Sequence, residues 1–224
     1  WITQADNVVR KYGYKYDKLN RIKNAVYQKP QDINPITNSY NENLWYDKNG
    51  NITQLHRTGE LDDYNYIVNI DDLQFSYHPT KKNQLMKVYD EEPNPNGFKD
   101  DVLGTIDSTD DYEYDDFGNM TKDDNKGISK IYYNHLNLPI KIIQTLGTIE
   151  YLYNAAGVKV EKKITKDATI ATTDYQNGYQ YVNGQLLFFP HAEGYVNVTE
   201  GTVFNYVYNY TDHLGNVRVS FGYD

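Results

Sequence analysis

The sequence predicts an all-β fold made of antiparallel β-hairpins stacked side by side. Tyrosine supplies 24 of the 224 residues and recurs in a phrase of two tyrosines separated by one residue. Most copies are followed by a turn of Asp, Asn and Gly and then by a strand rich in β-branched residues. No segment carries apolar residues at helical spacing over three turns. A phrase that recurs in this way indicates one structural unit used many times.

The first part of the unit is predicted to be a strand with both tyrosines on one face. Examples are YKYDKLNRI at 14–22, YEYDDFGNM at 112–120 and YLYNAAGVK at 151–159. Alternate residues of a strand share a face, so tyrosines of adjacent strands can form a ladder. The tyrosines assigned to this ladder are Tyr14, Tyr16, Tyr46, Tyr112, Tyr114, Tyr133, Tyr151, Tyr153, Tyr179, Tyr181, Tyr208 and Tyr210.

The second part is a turn, which we predict from Asp, Asn and Gly. Asp and Asn side chains cap their own turns, and Gly adopts a positive φ without strain. The predicted turn glycines are Gly50, Gly118, Gly157, Gly184 and Gly215. The Asn-Gly pairs at 49–50, 96–97, 177–178 and 183–184 are the strongest hairpin signals.

The spacing of the phrases gives the length of the unit. The second tyrosines at 114, 133 and 153 are 19 and 20 residues apart, which indicates a period of about 20 residues. Longer steps elsewhere indicate inserted loops. We predict such insertions at about 28–43, which contains Pro30 and Pro35, and at about 90–111, which is rich in Pro, Gly and Asp.

Composition excludes several classes of protein. A net charge of −9 without basic clusters disfavours nucleic-acid binding. The absence of cysteine excludes disulfides, thiolate zinc sites and cysteine nucleophiles. No apolar run approaches the roughly 18 residues of a membrane span, so no membrane insertion is expected. The chain begins at Trp1 without a methionine, and we expect it to be a piece of a longer, processed protein.

No residue pattern predicts catalysis, a metal or a cofactor, and we expect the chain not to be an enzyme. The five histidines lack metal-ligand spacing. Serine is scarce, and no Gly-rich phosphate loop occurs. Adjacent aspartates are expected to be solvated turn residues, with a structural Ca²⁺ site as the alternative. These pairs are Asp62-Asp63, Asp71-Asp72, Asp110-Asp111, Asp115-Asp116 and Asp123-Asp124.

The phrases resemble the YD repeats of the Rhs (rearrangement hotspot) family over nearly the whole chain. YKYDKLNRI and YEYDDFGNM are close to the family phrase YxYDxxGRL, with Asn119 in place of the usual arginine. The segment YTDHLGNVRVSF at 210–221 resembles the DHLGSxR opening of the Rhs repeat-associated core domain, in a style similar to versions from Bacteroidota. The matching core residues are Asp212, His213, Leu214, Gly215, Asn216 and Arg218.

The resemblance implies a domain organisation and a function. Residues 1–207 would form the YD-repeat sheet, and residues 208–224 would begin the core domain. In this family the sheet spirals into a hollow cocoon that encloses a toxic C-terminal domain. The chain is therefore expected to be a shell segment of a bacterial protein, secreted or displayed on the cell surface. Its expected partners are further YD repeats and a C-terminal effector of the same polypeptide, with a secretion-system translocon or carrier as another.

The sequence is also compatible with two other functions. Exposed tyrosine stripes could stack on sugar rings, which would make the chain a surface adhesion or carbohydrate-binding module. The chain could also be an exported substrate captured by secretion machinery.

Overall fold

The structure, a computed structural model, is all-β and antiparallel, and the predicted fold class is confirmed. It describes residues 2, 6–63, 65–92, 94–101 and 109–222. These residues contain no α-helix and one 3-10 turn at Asp124–Lys126. None of them forms a helix that is long and apolar enough to cross a membrane. The strands are β1 Lys11–Tyr16, β2 Ile22–Gln28, β3 Glu42–Tyr46, β4 Ile52–Gly59, β5 Val68–Tyr77, β6 Leu85–Asp90, β7 Tyr112–Tyr114, β8 Met120–Asp123, β9 Ile128–Tyr133, β10 Pro139–Gln144, β11 Gly147–Tyr153, β12 Lys159–Lys166, β13 Thr169–Gln176, β14 Tyr179–Val182, β15 Gln185–His191, β16 Gly194–Thr199, β17 Val203–Thr211 and β18 Val217–Gly222.

The chain divides into two compact units, Trp1–Gly127 and Ile128–Asp224. In unit 1, strands β1 to β6 form a sheet in sequence order, and β7 pairs with β8 as a hairpin. In unit 2, strands β9 to β18 also follow one another in sequence order. The predicted boundary between residues 207 and 208 falls inside β17. Residues 223 and 224 of the predicted core segment lie outside the described residues.

A β-bulge recurs just after the turns of the repeat. In the first hairpin Tyr16 lies opposite Ile22, whereas Lys15 lies opposite Asn24, so Lys23 has no partner in the ladder. An extra residue of this kind bends the strand and increases its right-handed twist. The equivalent extra residues elsewhere are Thr53, Met86, Thr121, Ile140, Val160 and Arg218. The bulges therefore increase the twist of the sheet at the same point of each of these hairpins.

The hydrophobic cores are thin. In unit 1 the buried residues Leu73, Val88 and Tyr112 form a cluster, against which Phe75 and Phe98 pack. The buried apolar residues of unit 2 are Ile128, Ile131, Val196 and Val198. Large apolar side chains are exposed along most strands, as expected for sheets with at least one wet face.

The predicted loops and hairpins fall mostly where expected. Residues 29–41 form a loop between β2 and β3, and no described residue of 91–111 lies in a strand. Residues 93 and 102–108 of that predicted insertion lie outside the described residues. Asn177-Gly178 and Asn183-Gly184 form two-residue hairpins in which every φ is positive, the geometry that suits tight hairpins. The hairpin predicted at 96–97 is wrong, because these residues form a turn inside the loop, with the Gly97 N–H donating to the Asn94 carbonyl at 3.0 Å.

Candidate functional site

The turn of the repeat is organised by the side chain of its first residue. At Asp115, Oδ1 accepts the backbone N–H groups of Phe117 and Asn119 at 3.0 and 2.8 Å. The Asp115 N–H donates to the Asn119 carbonyl at 2.9 Å, and the Gly118 N–H donates to the Asp115 carbonyl at 3.1 Å. We call this arrangement the Asx turn. It recurs with the same bonds at Asp17, Asp47, Asn134, Asn154 and Asp212.

The fourth residue of the Asx turn has a positive φ. It is glycine in four of the six turns, with φ of 96° at Gly50, 86° at Gly118, 77° at Gly157 and 83° at Gly215. Asn20 and Asn137 take this place in the other two turns, with φ of 60° and 57°. Asparagine tolerates this region better than other non-glycine residues do, in keeping with the prediction of the turn from Asp, Asn and Gly. Gly184 has a positive φ too, but it belongs to a two-residue hairpin.

In the four turns that begin with aspartate, the side chain of the fifth residue hydrogen-bonds the second carboxylate oxygen. Asn119 Nδ2 donates to Asp115 Oδ2 at 2.9 Å. At Asp17 the donor is Arg21 Nε, at 2.7 Å. Asparagine and arginine therefore bind the same carboxylate oxygen at this position. The matching asparagine amides are those of Asn51 and Asn216.

These bonds stabilise the charged form of the turn aspartates. The side-chain amide of Asn119 and then backbone N–H groups hold the pKa of Asp115 below its ordinary value. The backbone N–H of Arg21 and then its guanidinium lower the pKa of Asp17. In the core motif, the backbone N–H of Asn216 lowers the pKa of Asp212, and Arg218 Nε adds a bond to Oδ2 at 2.8 Å.

The tyrosine directly before the turn bonds to the preceding hairpin. Its hydroxyl donates to the carbonyl of the first residue of the return strand in that hairpin. We call this contact the tyrosine tie. Among the described residues the ties run from Tyr46 to Ile22 at 2.7 Å, Tyr77 to Ile52 at 2.8 Å, Tyr114 to Leu85 at 2.7 Å and Tyr153 to Pro139 at 2.9 Å. The tie joins consecutive hairpins through the tyrosine hydroxyl. The predicted tyrosine ladder did not include this hydrogen bond.

The first tyrosine of the phrase has other contacts. Tyr112 is buried, and its hydroxyl accepts from Asn125 Nδ2 at 3.2 Å. Lys159 Nζ lies 4.0 Å from the centre of the Tyr151 ring. Tyr14 lies beside both Tyr12 and Tyr16, with ring centres 6.0 and 6.5 Å apart. Tyr133 is instead the second tyrosine of its phrase: it directly precedes the turn at Asn134 and lies at the end of β9, opposite Pro139.

The last two phrases differ from the others. Tyr179 and Tyr181 both lie in β14, between the two-residue turns at 177–178 and 183–184. Tyr179 stacks on Phe189 with ring centres 5.2 Å apart, and Tyr181 lies opposite Leu186. In the final phrase Thr211, and not Tyr210, directly precedes Asp212. Tyr210 is therefore not placed relative to its turn as Tyr16 is.

Counted from the first residue of the turn, Tyr208 and Tyr210 each lie one residue earlier in the strand than Tyr14 and Tyr16 do. Both rings stack on Phe221, with centres 5.5 and 5.4 Å apart. Phe189 also contacts Phe204, at 6.3 Å. The result is a row of aromatic side chains in strands between β14 and β18, which we call the aromatic row; its members are Tyr179, Phe189, His191, Phe204, Tyr206, Tyr208, Tyr210 and Phe221.

Unit 1 contains a set of buried carboxylates. Asp71, Asp90, Asp111 and Asp123 each expose 1% or less of their surface. The prediction of solvated turn residues is therefore wrong for Asp71, Asp111 and Asp123. Asp111 Oδ2 accepts the Val88 N–H at 2.8 Å. The Asp111 carboxylate takes the place of the backbone carbonyl that a neighbouring strand would otherwise offer to the Val88 N–H. This hydrogen bond accounts for the burial of Asp111.

The other buried carboxylates bind in similar ways. Asp71 forms an ion pair with Arg57 and accepts the Phe98 N–H. Asp123 Oδ1 accepts the Lys126 N–H at 3.2 Å, and its Oδ2 pairs with Lys126 Nζ at 2.8 Å. The donors to Asp71 lie in another strand and in a loop, so the sequence pattern did not reveal them, whereas the donor to Asp123 lies three residues along the chain in the 3-10 turn.

Asp90 is the least compensated of the set. Its Oδ1 accepts the N–H groups of Asp72 and Glu92 at 2.9 and 3.0 Å, but its Oδ2 has no hydrogen-bond partner among the described residues. Burial raises the pKa of Asp90, and the charges of Asp71 and Asp100 raise it further. Burial also raises the pKa of Asp111. The described residues contain no group of three or more acidic or histidine side chains arranged to hold a metal ion.

Comparisons with known proteins add a distant likeness. No family model matches the chain, and no curated protein matches it. Among solved structures, the chain is similar to the crystal structure of TcdB2-TccC3-TEV, with 12% sequence identity and a TM-score of 0.36. The similarity covers 96% of this chain and 14% of that one, so this chain spans a small part of its length.

Proposed function

We propose that the chain is a non-enzymatic wall segment of a secreted or surface-displayed shell protein of the Rhs/YD-repeat type. The observation that carries the proposal is the recurrence of the Asx turn and the tyrosine tie in consecutive hairpins. A unit that contacts only its neighbours extends a sheet without limit on length, which suits a wall.

The core motif supports a structural role. Asp212, Gly215 and Asn216 form the same Asx turn as the repeats, and Arg218 binds the Asp212 carboxylate. The side chains of Asp212, Asn216 and Arg218 are engaged in holding the turn and are therefore unsuited to act on a substrate. The motif is then one more repeat turn, placed where the family's core domain would begin.

The thin cores suit a wall as well. A globular enzyme of this length normally surrounds its site with a deep core, whereas here few apolar side chains are buried. A wall needs instead a regular sheet with one face toward its contents and one toward solvent. The ties supply the regularity, because each fixes the position of one hairpin on the next.

The test uses the natural polypeptide that contains these residues. We expect a domain downstream of residue 224 to resist protease in the whole protein and to be cleaved readily when it is expressed alone. Combined Tyr46→Phe, Tyr77→Phe and Tyr114→Phe changes should loosen the wall and increase cleavage. The matched control is Tyr132→Phe, in which a half-exposed tyrosine loses its hydroxyl. Equal cleavage of the downstream domain in the whole protein and alone would overturn the proposal.

Carbohydrate binding is the second candidate, and the aromatic row favours it. Tyr179, Phe204, Tyr206 and Tyr210 each expose 41% or more of their surface. Exposed rings of this kind can stack on the apolar faces of sugars. A glycan array tests this directly: binding that is lost in Tyr206→Ala and Tyr210→Ala, but kept in Tyr132→Ala, would support it. An array without specific binding would reject it.

A further inference from the structure

Backbone pairing is interrupted between β6 and β7 in unit 1. Strand β6 is the last strand of its sheet, and β7 is not paired with it. Contacts from the segment before β7 take the place of a ladder. The Asp111 carboxylate accepts the Val88 N–H at 2.8 Å, and the Asp111 N–H donates to the Met86 carbonyl at 2.9 Å. Lys87 Nζ donates to the Thr109 carbonyl at 2.8 Å, so an amine is held beside this carboxylate.

Lys87 and Asp111 form an ion pair that is shielded from water. Lys87 Nζ lies 3.7 Å from Asp111 Oδ1, and the two side chains are 13% and 1% exposed. Asp123 is buried to a similar degree, but its partner Lys126 is 72% exposed. Of the lysine–carboxylate pairs among the described residues, Lys87–Asp111 is the one in which both side chains are most shielded. Removal of water from an amine favours its uncharged, nucleophilic form.

The Asp111 carboxyl group is oriented for attack by this amine. Its Oδ1 faces Lys87, whereas its Oδ2 accepts the Val88 N–H at 2.8 Å and Asn125 Nδ2 at 2.9 Å. Two donors on one oxygen stabilise the negative charge that develops there when a nucleophile adds to the carboxyl carbon. Burial raises the pKa of Asp111, which favours the uncharged acid that an amine can attack.

We propose that Lys87 and Asp111 react with each other to form an amide bond, an isopeptide cross-link between β6 and the segment that precedes β7. The distance of 3.7 Å is that of the two groups before the bond forms. The cross-link would join two strands that have no backbone ladder between them. The inference goes beyond the proposed shell role and does not depend on it.

The reaction balances without a further reactant. A proton passes from the Lys87 ammonium group to Asp111 Oδ1, and the amine lone pair then attacks Cγ. The electron pair of the Cγ–Oδ2 double bond moves onto Oδ2, where Val88 and Asn125 donate hydrogen bonds. The nitrogen releases a second proton, which returns to Oδ1, and Oδ1 leaves as water while the double bond to Oδ2 forms again. One ammonium and one carboxylate thus give one amide and one water, with nothing oxidised or reduced.

Asp101 is suited to move the second proton. Its charge interacts with those of Lys87 and Asp111. The Asp101 N–H donates to Asn125 Oδ1 at 2.9 Å, which holds Asp101 beside the amide that binds Asp111. Desolvation raises the pKa of Asp101, and the neighbouring Asp100 raises it further. A carboxylate with a raised pKa can accept a proton from the nitrogen and return it to Oδ1.

The product keeps the hydrogen bonds on which the fold depends. Oδ2 becomes the oxygen of the new amide and can still accept from Val88 and Asn125. The backbone bond from Asp111 to Met86 does not involve the reacting atoms. The cross-link therefore requires no rearrangement of β6 or β7, and it would limit the freedom of the unfolded chain as a disulfide does.

Mass spectrometry of a tryptic digest tests the proposal on the natural polypeptide that contains these residues, denatured before digestion. Trypsin cleaves after lysine and arginine, but not after a lysine whose amine is part of an amide. We expect a branched peptide in which residues 83–99 are joined to residues 100–122. Its mass should be lower than that of the two linear peptides together by one water molecule, and fragmentation should locate the link at Lys87 and Asp111.

Two arginine variants separate the reaction from the ion pair. Lys87→Arg keeps the positive charge but removes the attacking amine, so the branched peptide should disappear and linear peptides should replace it. Lys122→Arg is the matched control: it removes an amine that lies 2.6 Å from Asp124 Oδ2, and it should keep the branched peptide. Linear peptides alone from a parent protein that is folded by circular dichroism overturn the proposal. A branched peptide that persists in Lys87→Arg overturns it as well.

The role of Asp101 has its own readout. Asp101→Asn should slow formation of the branched peptide about 100-fold, the effect expected for loss of a general base, measured as the linked fraction against time after synthesis. Alkaline buffer should restore the rate, because hydroxide can then take the proton, whereas a folding defect would not be repaired in this way. Asp110→Asn, at the exposed residue beside Asp111, is the control and should react at the parent rate.

Discussion

At the scale of single residues, the Asx turn shows how few side chains define the unit. One carboxylate or amide oxygen binds two backbone N–H groups, and one residue with a positive φ closes the loop. Asp and Asn are interchangeable at the first position, as Asp115 and Asn154 show. Gly and Asn are interchangeable at the fourth, as Gly118 and Asn137 show. The turn is thus defined by conformation and acceptor geometry rather than by one residue type.

The fourth position of the turn gives a direct test. A Cβ atom at Gly118 would meet no heavy atom within 4 Å, so a substitution there changes backbone strain and little else. Gly118→Val should lower the free energy of unfolding by about 1–2 kcal/mol, because a β-branched residue is strained at φ of 86°. Gly118→Asn is the matched control and should lose less than half as much. Equal losses for both variants in urea unfolding would contradict the assignment.

Two aspartates should respond to pH in opposite directions. Burial raises the folded-state pKa of Asp90, so its contribution to stability is present at acid pH and is lost as pH rises through that pKa. Asp90→Asn keeps the Oδ1 acceptor for the Asp72 and Glu92 N–H groups and removes the titration. We expect the variant to be at least as stable as the parent at neutral pH, with any advantage vanishing at acid pH.

Asp115→Asn is the control with the reverse sign. The Asn119 amide lowers the folded-state pKa of Asp115, so its contribution is present at neutral pH and is lost as pH falls through that pKa. The variant should therefore be less stable than the parent at neutral pH and equal to it at acid pH. Urea unfolding from pH 3 to 7 compares the two variants, and curves of the same sign would refute the reasoning.

At the scale of strands and hairpins, the tyrosine tie fixes the register between consecutive hairpins. The ladder hydrogen bonds would allow slippage by two residues with the same side chains facing the same way. The tie removes this freedom, since the hydroxyl reaches one particular carbonyl at the start of the preceding return strand. The bulge next to the turn adds a second marker at the same level of the sheet.

Removing a single tie should be measurable. Tyr153→Phe leaves the Pro139 carbonyl without its hydroxyl donor and should lower the free energy of unfolding by about 0.5–1.5 kcal/mol. Tyr132→Phe removes a hydroxyl from a half-exposed tyrosine in the same unit and should change it by less than about 0.5 kcal/mol. If thermal unfolding shows the same effect for both, the tie contributes nothing beyond a surface hydroxyl.

At the scale of the whole molecule, the sequence predicts the features that are determined by residues close together in the chain. The strands, the Asx turns and the hairpins at 177–178 and 183–184 follow from residues within one unit. The tyrosine ties were not predicted, because the acceptor carbonyl lies more than a dozen residues away and depends on the register between hairpins. The buried carboxylates were misjudged for the same reason: nothing near Asp111 in the sequence shows that the Val88 N–H needs an acceptor.

The division into two units was also beyond the sequence pattern. The repeat phrase runs unchanged across Gly127 and Ile128, where the structure divides. The difference between the units lies in burial. Leu73, Val88 and Tyr112 form a buried cluster in unit 1, whereas many apolar side chains of unit 2 are exposed. Local stability follows buried apolar contacts, so the two units should differ in it.

Hydrogen exchange at increasing urea concentration can resolve this difference. We expect the amides of β14 to β18 in unit 2 to exchange at lower urea than those of β4 to β6 in unit 1. Val88→Ala removes two buried methyl groups, about 1.6 kcal/mol, and should lower protection in unit 1 alone. Val196→Ala is the matched change in unit 2 and should lower protection there alone, because each valine packs within its own unit. If either variant lowers protection equally across both units, the chain unfolds as one cooperative body and its stability is shared along the whole length of the repeat.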